Sequence, residues 1–255
     1  MQRSLPVRRL ASPIAELRQY TLKPGQRETL IALFERAFIE SQEAAGMTII
    51  GQFRDLDRPD MFVWLRGFES MEARKKALTA FYDGPVWAAH RDAANATMID
   101  SDDVLLLSPT PREAGFDLSG LSRPGIDEAE NAGADASLPG LVEISIHHLR
   151  PGTEAGFAVR FRAGTAEPLA GLGGRLSATF KTEHAENTFP RLPVRAGENV
   201  VVTVAGFGSE AAHARYRSAL AASPARPGGR ESTRAGPTKP VETLRLTPTA
   251  RSWLR

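Results

Sequence analysis

The chain contains two copies of one sequence pattern, and this internal repeat constrains the fold more than any other feature. The ten residues from Glu16 to Gly25 return from Glu143 to Gly152 with four positions identical, and Gly67-Phe68 returns as Gly206-Phe207. The number of residues that separates the two copies differs between the two matches, and one insertion of about a dozen residues between the matches accounts for the difference. A repeat of this period indicates two copies of a domain. The 255 residues are therefore predicted to form one domain over residues 12–110 and a second, diverged domain over 141–250.

The first copy shows the element order β-α-β-β-α-β. Apolar periodicity and turn residues predict strands over residues 14–21, 48–54, 61–67 and 103–107, and helices over 26–45 and 71–82 with a further short helical stretch over 86–95. This is the order of the ferredoxin-like unit, whose right-handed crossovers put both helices on one face of an antiparallel sheet. The other face is left bare, and a second unit is its usual cover. We therefore predict an α+β fold in which two tandem ferredoxin-like units pair as a pseudo-dimeric α/β barrel.

Two segments depart from this regular pattern. Residues 111–140 are rich in Gly, Asp, Ala, Ser and Pro, which predicts a linker over the surface, anchored by Phe116, Leu118 and Leu121. The first helix of the second copy, around residues 153–169, contains Gly156, Gly164 and Pro168 and is predicted to be interrupted.

Composition excludes several classes of protein. The net charge is only +2, which does not indicate nucleic-acid binding, and no apolar run approaches the roughly 20 residues that span a bilayer. The absence of cysteine excludes disulfides and thiolate metal sites and is typical of a reducing compartment, so a cytoplasmic location is expected. His147 and His148 are adjacent on a strand and point to opposite faces, so they do not chelate one ion. No metal and no cofactor are predicted.

Strand alternation places Glu16, Arg18 and Tyr20 on one face and Leu17 on the other. We expect the Leu17 face to lie beneath the helices. The Glu16–Arg18–Tyr20 face, like the equivalent face around His147, is then expected to line the joint between the two sheets, where polar side chains indicate a cavity. The alternative is that these polar residues simply pair across strands or with the other copy.

Trp64 and Arg66 share a strand face, and an aromatic ring beside an arginine can bind a planar anion or can simply fill space. Their counterparts in the second copy, Thr203 and Ala205, are smaller. The segment of Trp87 and His90 falls opposite 224–229, which has lost both residues, so a ligand site is expected in the first copy; alternatively, the second copy has drifted because it only covers a sheet face. The ligand-binding candidates are Arg18, Tyr20, Trp64, Arg66, Trp87 and His147, and the candidate general base is His90.

The ordered set of motifs resembles one known family. The stretch 16–25, the strand end 64–68 with Ser70 after it, and the step 85–87 are similar to the NIPSNAP family, and residues 186–195 resemble a loop of a tandem subset of such proteins. The resemblance implies a dimeric α/β-barrel fold. It does not imply a reaction, because bacterial members mostly lack an assigned one, although the fold is shared with small cofactor-independent monooxygenases and haem-degrading enzymes.

Two hypotheses about function follow. The first is a binding or structural module with a small-ligand cavity between the two sheets, which takes a small planar or anionic ligand. The alternative is a cofactor-independent monooxygenase-like enzyme that acts on a small planar or aromatic substrate. Partners are expected to be limited to the ligand and the intramolecular pseudo-dimer, with a homo-oligomer as an open alternative.

Overall fold

The computed structural model of the protein describes residues 10–132, 140–222 and 236–254. The first copy contains strands β2 (Ile14–Leu22), β3 (Thr48–Asp55), β4 (Met61–Phe68) and β5 (Met98–Pro109). Its helices are α1 (Arg27–Leu33), a π-helical turn (Phe34–Phe38), α2 (Ile39–Ala44), α3 (Met71–Tyr82) and α4 (Pro85–Thr97). The predicted helix over 26–45 is thus one continuous helical stretch with a π turn inside it, and it ends at Gly46, whose φ of 99° suits glycine.

The second copy repeats this order. Its strands are β7 (Leu141–His148), β8 (Gly174–Thr182), β9 (Val200–Phe207) and β10 (Glu242–Pro248), and its helices are α6 (Glu154–Gly171) and α7 (Glu210–Ala222). The segment opposite α4, including 224–229, lies outside the described residues. Between the copies lie a 3-10 turn (Arg112–Ala114), β6 (Phe116–Asp117), which pairs with β1 (Leu10–Ala11), and α5 (Ile126–Ala132).

Eight strands form a closed barrel in the order β10-β3-β4-β2-β5-β8-β9-β7. Each copy contributes four neighbouring strands in ferredoxin-like order, and the copies meet at two antiparallel seams. Leu246 pairs with Asp55 at the β10–β3 seam, and Leu107 pairs with Thr182 at the β5–β8 seam. These pairs occupy equivalent positions of the repeat, so the two copies are related by a pseudo-two-fold axis. The predicted α+β fold of two paired ferredoxin-like units is confirmed, and the barrel closes within one chain.

The barrel interior is a packed apolar core to which both copies contribute. Leu17 and Leu105 of the first copy share it with Ile144, Phe180 and other buried side chains of the second. The helices lie outside the barrel, each pair covering the outer face of its own sheet. Since every strand alternates its side chains between these two faces, the outer face of each sheet receives the other half of the strand residues.

The expected assignment of faces was wrong. Leu17, Ile144 and Ile146 line the barrel interior, not the layer beneath the helices. Tyr20 and Trp64 lie beneath the helices, in contact with residues such as Phe34. The physical reason is that the inside of a closed eight-stranded barrel is remote from water on all sides and is filled by apolar side chains from both sheets. The outer layer lies against helices and loops, whose side chains form ion pairs and hydrogen bonds with the charged groups of the strands.

The segment predicted to be a linker contributes to the core. Phe116 is buried in the barrel core beside Phe180, with ring centroids 5.2 Å apart. Leu118 packs against the same core, whereas Leu121 is 40% exposed. Two of the three predicted anchors therefore make apolar contact with the barrel.

The predicted interruption of the first helix of the second copy was also wrong. Helix α6 runs unbroken over 18 residues, with Pro168 inside its last turn. Phe157, Ala158 and Leu169 are buried against the sheet. Burial of this face outweighs the modest cost of two internal glycines and the loss of the one backbone hydrogen bond that Pro168 cannot donate.

Candidate functional site

The outer layer of the first copy contains a buried cluster of one carboxylate and three guanidinium groups. Glu16 Oε2 accepts hydrogen bonds from Arg18 Nη1 at 2.7 Å and Arg66 Nε at 2.8 Å, and Glu16 Oε1 accepts one from Arg74 Nε at 2.6 Å. All four side chains are at most 1% exposed. Arg74 comes from α3, which Ser70 caps by accepting a hydrogen bond from the backbone N–H of Ala73 at 3.0 Å.

The three arginines keep Glu16 ionised. Burial alone would raise the pKa of the Glu16 carboxyl, but Arg66, Arg18 and Arg74 outweigh burial and hold that pKa well below its usual value of about 4.5. The glutamate is therefore the counter-charge that makes the burial of three guanidinium groups tolerable. The alternative to a ligand site was that these polar residues pair with one another across strands. This cluster is such a pairing.

Aromatic side chains fill the rest of this layer. The Trp64 ring lies between two guanidinium groups, 5.5 Å from Arg18 Cζ and 5.0 Å from Arg66 Cζ. Tyr20 meets the Trp64 ring edge-on at 5.8 Å, and the Tyr20 hydroxyl accepts a hydrogen bond from Arg18 Nε at 3.0 Å. Four of the ligand-binding candidates therefore bind one another instead of lining an open space.

Trp87 and His90 lie on α4, on the outer side of the helical layer. Trp87 is half-buried against Tyr82, with ring centroids 4.9 Å apart, and His90 approaches Phe38 at 6.1 Å. The structure does not bring these two residues together with His147, which lies in the other copy.

An inserted loop from the second copy closes the first copy's layer. Residues 183–199 join β8 to β9, whereas only 56–60 join the equivalent strands β3 and β4, so this loop is the insertion of about a dozen residues that the repeat predicts. Asn187 Oδ1 accepts a hydrogen bond from Arg74 Nη1 at 2.9 Å, and the Phe189 ring stacks on Tyr82 at 5.9 Å.

The second copy contains a cavity of about 340 Å³ in the equivalent layer, between its sheet and its helices. The strand register shows why. Arg18 pairs with Trp64 in the first copy, and the equivalent pair in the second copy is Ser145 and Thr203. The position of Arg66 is taken by Ala205. Smaller side chains thus stand where the first copy has large ones, and among the described residues the side chains of the sheet and of helices α6 and α7 leave this space.

This location differs from both expectations about a cavity. The space between the two sheets is the packed barrel core, and the outer layer of the first copy is filled by the side chains described above. The cavity lies in the second copy, whereas a ligand site was expected in the first. Its lining residues are Glu143, Ser145, His147, Phe161, Thr165, Leu169, Leu176, Thr203, Ala205, Tyr216, Arg217, Leu220, Ala221, Val241 and Thr243.

Glu143, which lines this cavity, forms a carboxylate–imidazole pair with His213. Glu143 Oε2 is 2.7 Å from His213 Nε2, and Glu143 Oε1 accepts a hydrogen bond from Ser145 Oγ at 3.2 Å. Glu143 and His213 are equivalent to Glu16 and Arg74 in the repeat, so the contact is kept while its chemistry changes. Arg217, whose side chain is 47% exposed, approaches Glu143 Oε2 at 3.7 Å from the rim.

His147, one of the ligand-binding candidates, lies in the same cavity as a neutral imidazole. Burial lowers its pKa from 6.5 to about 4, and His148 adds to the effect. The ring packs against Phe157 and Phe161 at 5.0 and 5.2 Å. Its Nε2 is 3.5 Å from Thr203 Oγ1, and its buried Nδ1 has no hydrogen-bond partner.

Tyr216 adds a hydroxyl to the wall formed by α7. Burial raises the pKa of this phenol to about 12, and the charge of Glu143 acts in the same direction, so the hydroxyl stays protonated. Phe161, Leu169 and Leu176 form apolar parts of the wall. The cavity therefore combines polar groups with apolar side chains, as small-molecule sites do.

Sequence reasoning missed His213, Tyr216 and the importance of Glu143. The available signal was that the small residues Thr203 and Ala205 occupy the positions that are equivalent to Trp64 and Arg66 in the repeat. A loss of volume on a covered sheet face leaves a space if the covering helices stay in place, and this signal points to the second copy. Within the described residues, no three His, Cys, Asp or Glu side chains are placed to hold a metal ion.

The fold defines a class of protein. A closed eight-stranded barrel made of two ferredoxin-like units, with the helices outside, is a dimeric α/β barrel fused into one chain. Solved structures that share this fold include the following three. A candidate monooxygenase from Lactobacillus acidophilus NCFM has a TM-score of 0.55 and 13% identity, and the match covers 95% of this chain and 97% of that one. A candidate monooxygenase from Fusobacterium nucleatum has a TM-score of 0.53 and 6% identity, over 94% and 93% of the two chains. An anthrone oxidase-like protein has a TM-score of 0.58 and 14% identity, over 92% and 90%. At these identities the likeness is one of fold.

The first copy matches a known family. Residues 15–112 match the NIPSNAP family model, so the chain contains a NIPSNAP domain over these residues, as the sequence motifs predict. No curated protein sequence matches the chain. None of the described helices has the length and apolar character needed to cross a membrane.

Proposed function

We propose that this protein is a small-molecule-binding module and that its binding site is the second-copy cavity. The observation that carries the proposal is the cavity of about 340 Å³ between sheet and helices, whose lining includes Glu143, His147 and Tyr216. This volume falls in the range of known ligand pockets, about 300–1,000 Å³. The NIPSNAP domain of the first copy, whose layer is filled, then acts as the scaffold that completes the barrel.

A cavity-filling substitution tests this proposal. Thr203→Trp introduces the residue that occupies the equivalent position in the first copy, where Trp64 is buried. The probe is naphthalene, whose rings match the apolar wall, and binding is measured by equilibrium dialysis. The matched control is Val159→Trp, because Val159 is 58% exposed on α6 and does not line the cavity.

We expect the unmodified protein and the control variant to bind naphthalene and the Thr203→Trp variant to lose binding by at least about tenfold. Circular dichroism of both variants checks that each is folded. Equal binding by Thr203→Trp and the unmodified protein, or no binding by the unmodified protein, would count against the cavity as the site.

A second candidate function is that of a cofactor-independent monooxygenase-like enzyme. The observation that favours it is the set of acid–base groups around the cavity, namely neutral His147, the Glu143–His213 pair and the protonated Tyr216. A neutral imidazole can accept a proton from a bound substrate. Solved structures of the same fold include candidate monooxygenases and an anthrone oxidase-like protein. Oxygen consumption that requires a bound ring compound, and that Thr203→Trp abolishes, is the expected result.

We also propose that the protein acts as a monomer in the cytoplasm, with domains over 12–110 and 141–250 joined by 111–140. Closure of the barrel within one chain supports a monomer, since neither seam needs a second copy. The absence of cysteine supports the location. Sedimentation velocity tests the first point, with a dimer as the contrary result, and cell fractionation tests the second.

A further inference from the structure

A second pocket, the barrel-mouth pocket, lies at the end of the barrel where β7 and β8 begin and β9 ends. Its volume is about 260 Å³, and it shares no lining residue with the second-copy cavity. Strand alternation separates the two spaces, because Val204 and Gly206 face the barrel-mouth pocket whereas Thr203 and Ala205 face the helical layer. The described lining residues of the barrel-mouth pocket are Gly120, Leu121, Ser122, Val142, Arg175, Ser177, Val204, Gly206, Trp253 and Leu254.

The repeat shows how this space arises in the second copy. Gly206 is equivalent to Gly67 of the first copy, where an added Cβ atom would collide with Ser12 and lie 3.2 Å from Ile50 Cδ1. The same atom at Gly206 would meet only Ser177 Oγ among the described residues, at 3.7 Å. Ser177 lies at the strand irregularity that is equivalent to that of Ile50, so a smaller side chain again leaves room in the second copy.

The floor of the barrel-mouth pocket is the end of the packed barrel core. Val142, Val204 and Leu254 belong to that core and are at most 7% exposed. Trp253 forms a wall, and the guanidinium carbon of Arg123 lies 5.2 Å from its ring centroid. Because these groups are already packed, an apolar ligand surface is buried here without ordering the walls first.

Arg175 gives this pocket a positive charge. The residue is exposed on β8, and a guanidinium group stays charged throughout the physiological pH range. Within residues 10–132, 140–222 and 236–254 its guanidinium has no ion-pair or hydrogen-bond partner, and none of the described lining residues is acidic. Ser177 adds a hydroxyl two residues along the same strand. Since arginine pairs with carboxylates through two parallel N–H donors, the pocket complements a carboxylate.

The volume limits the ligand to a small molecule. A cavity of roughly 150 Å³ holds benzene, and pockets for drug-sized ligands begin at about 300 Å³. The 260 Å³ of the barrel-mouth pocket therefore suits one ring with a short substituent.

We propose that the barrel-mouth pocket is a second binding site and that it takes a small carboxylate with a single ring. The ring packs against Trp253 and Leu254, and the carboxylate pairs with Arg175. This inference goes beyond the proposed function, because the site lies on the other face of the second copy's sheet. It also gives the expected planar or anionic ligand a place at residues other than Trp64 and Arg66.

Three probes of similar size test the charge: phenylacetate, 2-phenylacetamide and 2-phenylethylammonium, measured by equilibrium dialysis at neutral pH and low ionic strength. An ion pair with an exposed arginine is worth up to about a fivefold change in affinity. We expect phenylacetate to bind about three- to fivefold more tightly than the amide, and the ammonium compound to bind most weakly. Salt at about 0.5 M should reduce this preference. Arg175→Met should abolish it, whereas the control Arg160→Met, at an exposed arginine on α6 that lines neither pocket, should keep it.

A pair of glycine variants tests the location. Gly206→Leu fills the barrel-mouth pocket and should weaken phenylacetate binding at least about tenfold. The matched control is Gly208→Leu, two residues along the chain, where an added Cβ atom meets nothing within 4 Å and the pocket is not lined. In the unmodified protein the indole N–H signal of Trp253, assigned by NMR with Trp253→Phe, should shift as phenylacetate is added. If Gly206→Leu does not fold, Arg175→Met still decides the question, because it changes an exposed side chain.

The Thr203→Trp variant separates this inference from the proposed function. Because it fills only the second-copy cavity, it should bind phenylacetate as the unmodified protein does. Loss of phenylacetate binding in Thr203→Trp would refute the inference and place the probe in the second-copy cavity instead. Equal binding by Gly206→Leu and Gly208→Leu, tightest binding of the ammonium compound, or no binding of phenylacetate would also refute it. None of these last three results would affect the naphthalene test of the proposed function.

Discussion

Removal of the charge of Glu16 should destabilise the protein more than any other single isosteric change in the first copy's layer. Glu16→Gln keeps the size of the side chain but leaves three buried guanidinium groups without a counter-charge. The carboxylate accepts hydrogen bonds at 2.7, 2.8 and 2.6 Å, and all partners are at most 1% exposed. Breaking one buried ion pair typically costs about 3–5 kcal/mol. We expect a loss of about 4 kcal/mol, a large part of the about 5–15 kcal/mol that stabilises a domain.

The chain offers its own control, because Glu143 is the equivalent residue in the second copy. It has a histidine and a serine as close partners and a cation only at 3.7 Å, so Glu143→Gln leaves no buried guanidinium group unpaired. We expect this variant to lose about 1 kcal/mol. Urea denaturation followed by circular dichroism gives both free energies by linear extrapolation. A cost for Glu16→Gln no greater than that for Glu143→Gln would show that the arginines do not depend on the carboxylate.

Other predictions concern pH, the segment between the copies and the barrel seams. Because the pKa of Glu16 is lowered in the folded state, its contribution is complete above its unfolded value of about 4.5 and is lost as the pH falls below it, so the stabilities of the unmodified protein and Glu16→Gln should converge in acid. His147 has a pKa of about 4 in the folded protein and 6.5 in the unfolded chain, so the free energy of unfolding should fall by up to about 3 kcal/mol as the pH falls from 6.5 to 4. His147→Gln should remove this dependence, and an NMR titration of His147 with a midpoint near 6.5 would contradict it. Phe116→Ala should cost about 3–5 kcal/mol in urea denaturation, whereas Leu121→Ala, at an exposed position, should stay within about 0.5 kcal/mol; equal costs would mean that the segment does not support the core. The halves, expressed separately, should self-associate on gel filtration because each exposes an apolar face of the barrel core, and two monomeric peaks would argue against the fused barrel.

The fold could be predicted because its determinants are local and repeated. The helix over 71–82 has a good N-cap at Ser70 and a break after Tyr82, and the structure gives the same bounds. The two spacings of the repeat also contained the position of the inserted loop, between the second and third strands of the second copy. Local periodicity does not reveal the π turn in the first helical stretch. The presence of Pro168 suggested an interruption of α6 that the structure does not have.

The site was harder to predict because alternation identifies two faces of a strand without saying which one meets the helices. Both faces of β2 and β4 are rich in large side chains, so apolar content alone did not distinguish them. The assignment depends on closure of the barrel, which is a property of all eight strands together. Once the faces are known, Thr203 and Ala205 mark the cavity directly, since their volumes can be compared with those of Trp64 and Arg66 at the same positions.

The two seams that join the copies within one chain have a further consequence for how such a site can change over time. In a barrel built from two identical chains, one substitution alters both outer layers at once, so a mutation that opens a cavity also weakens the layer that holds the fold together. Here the Glu16 cluster and the His147 cavity are encoded separately. Ligand preference in the second copy can therefore shift by mutation while the ion cluster of the first copy retains its contribution to stability.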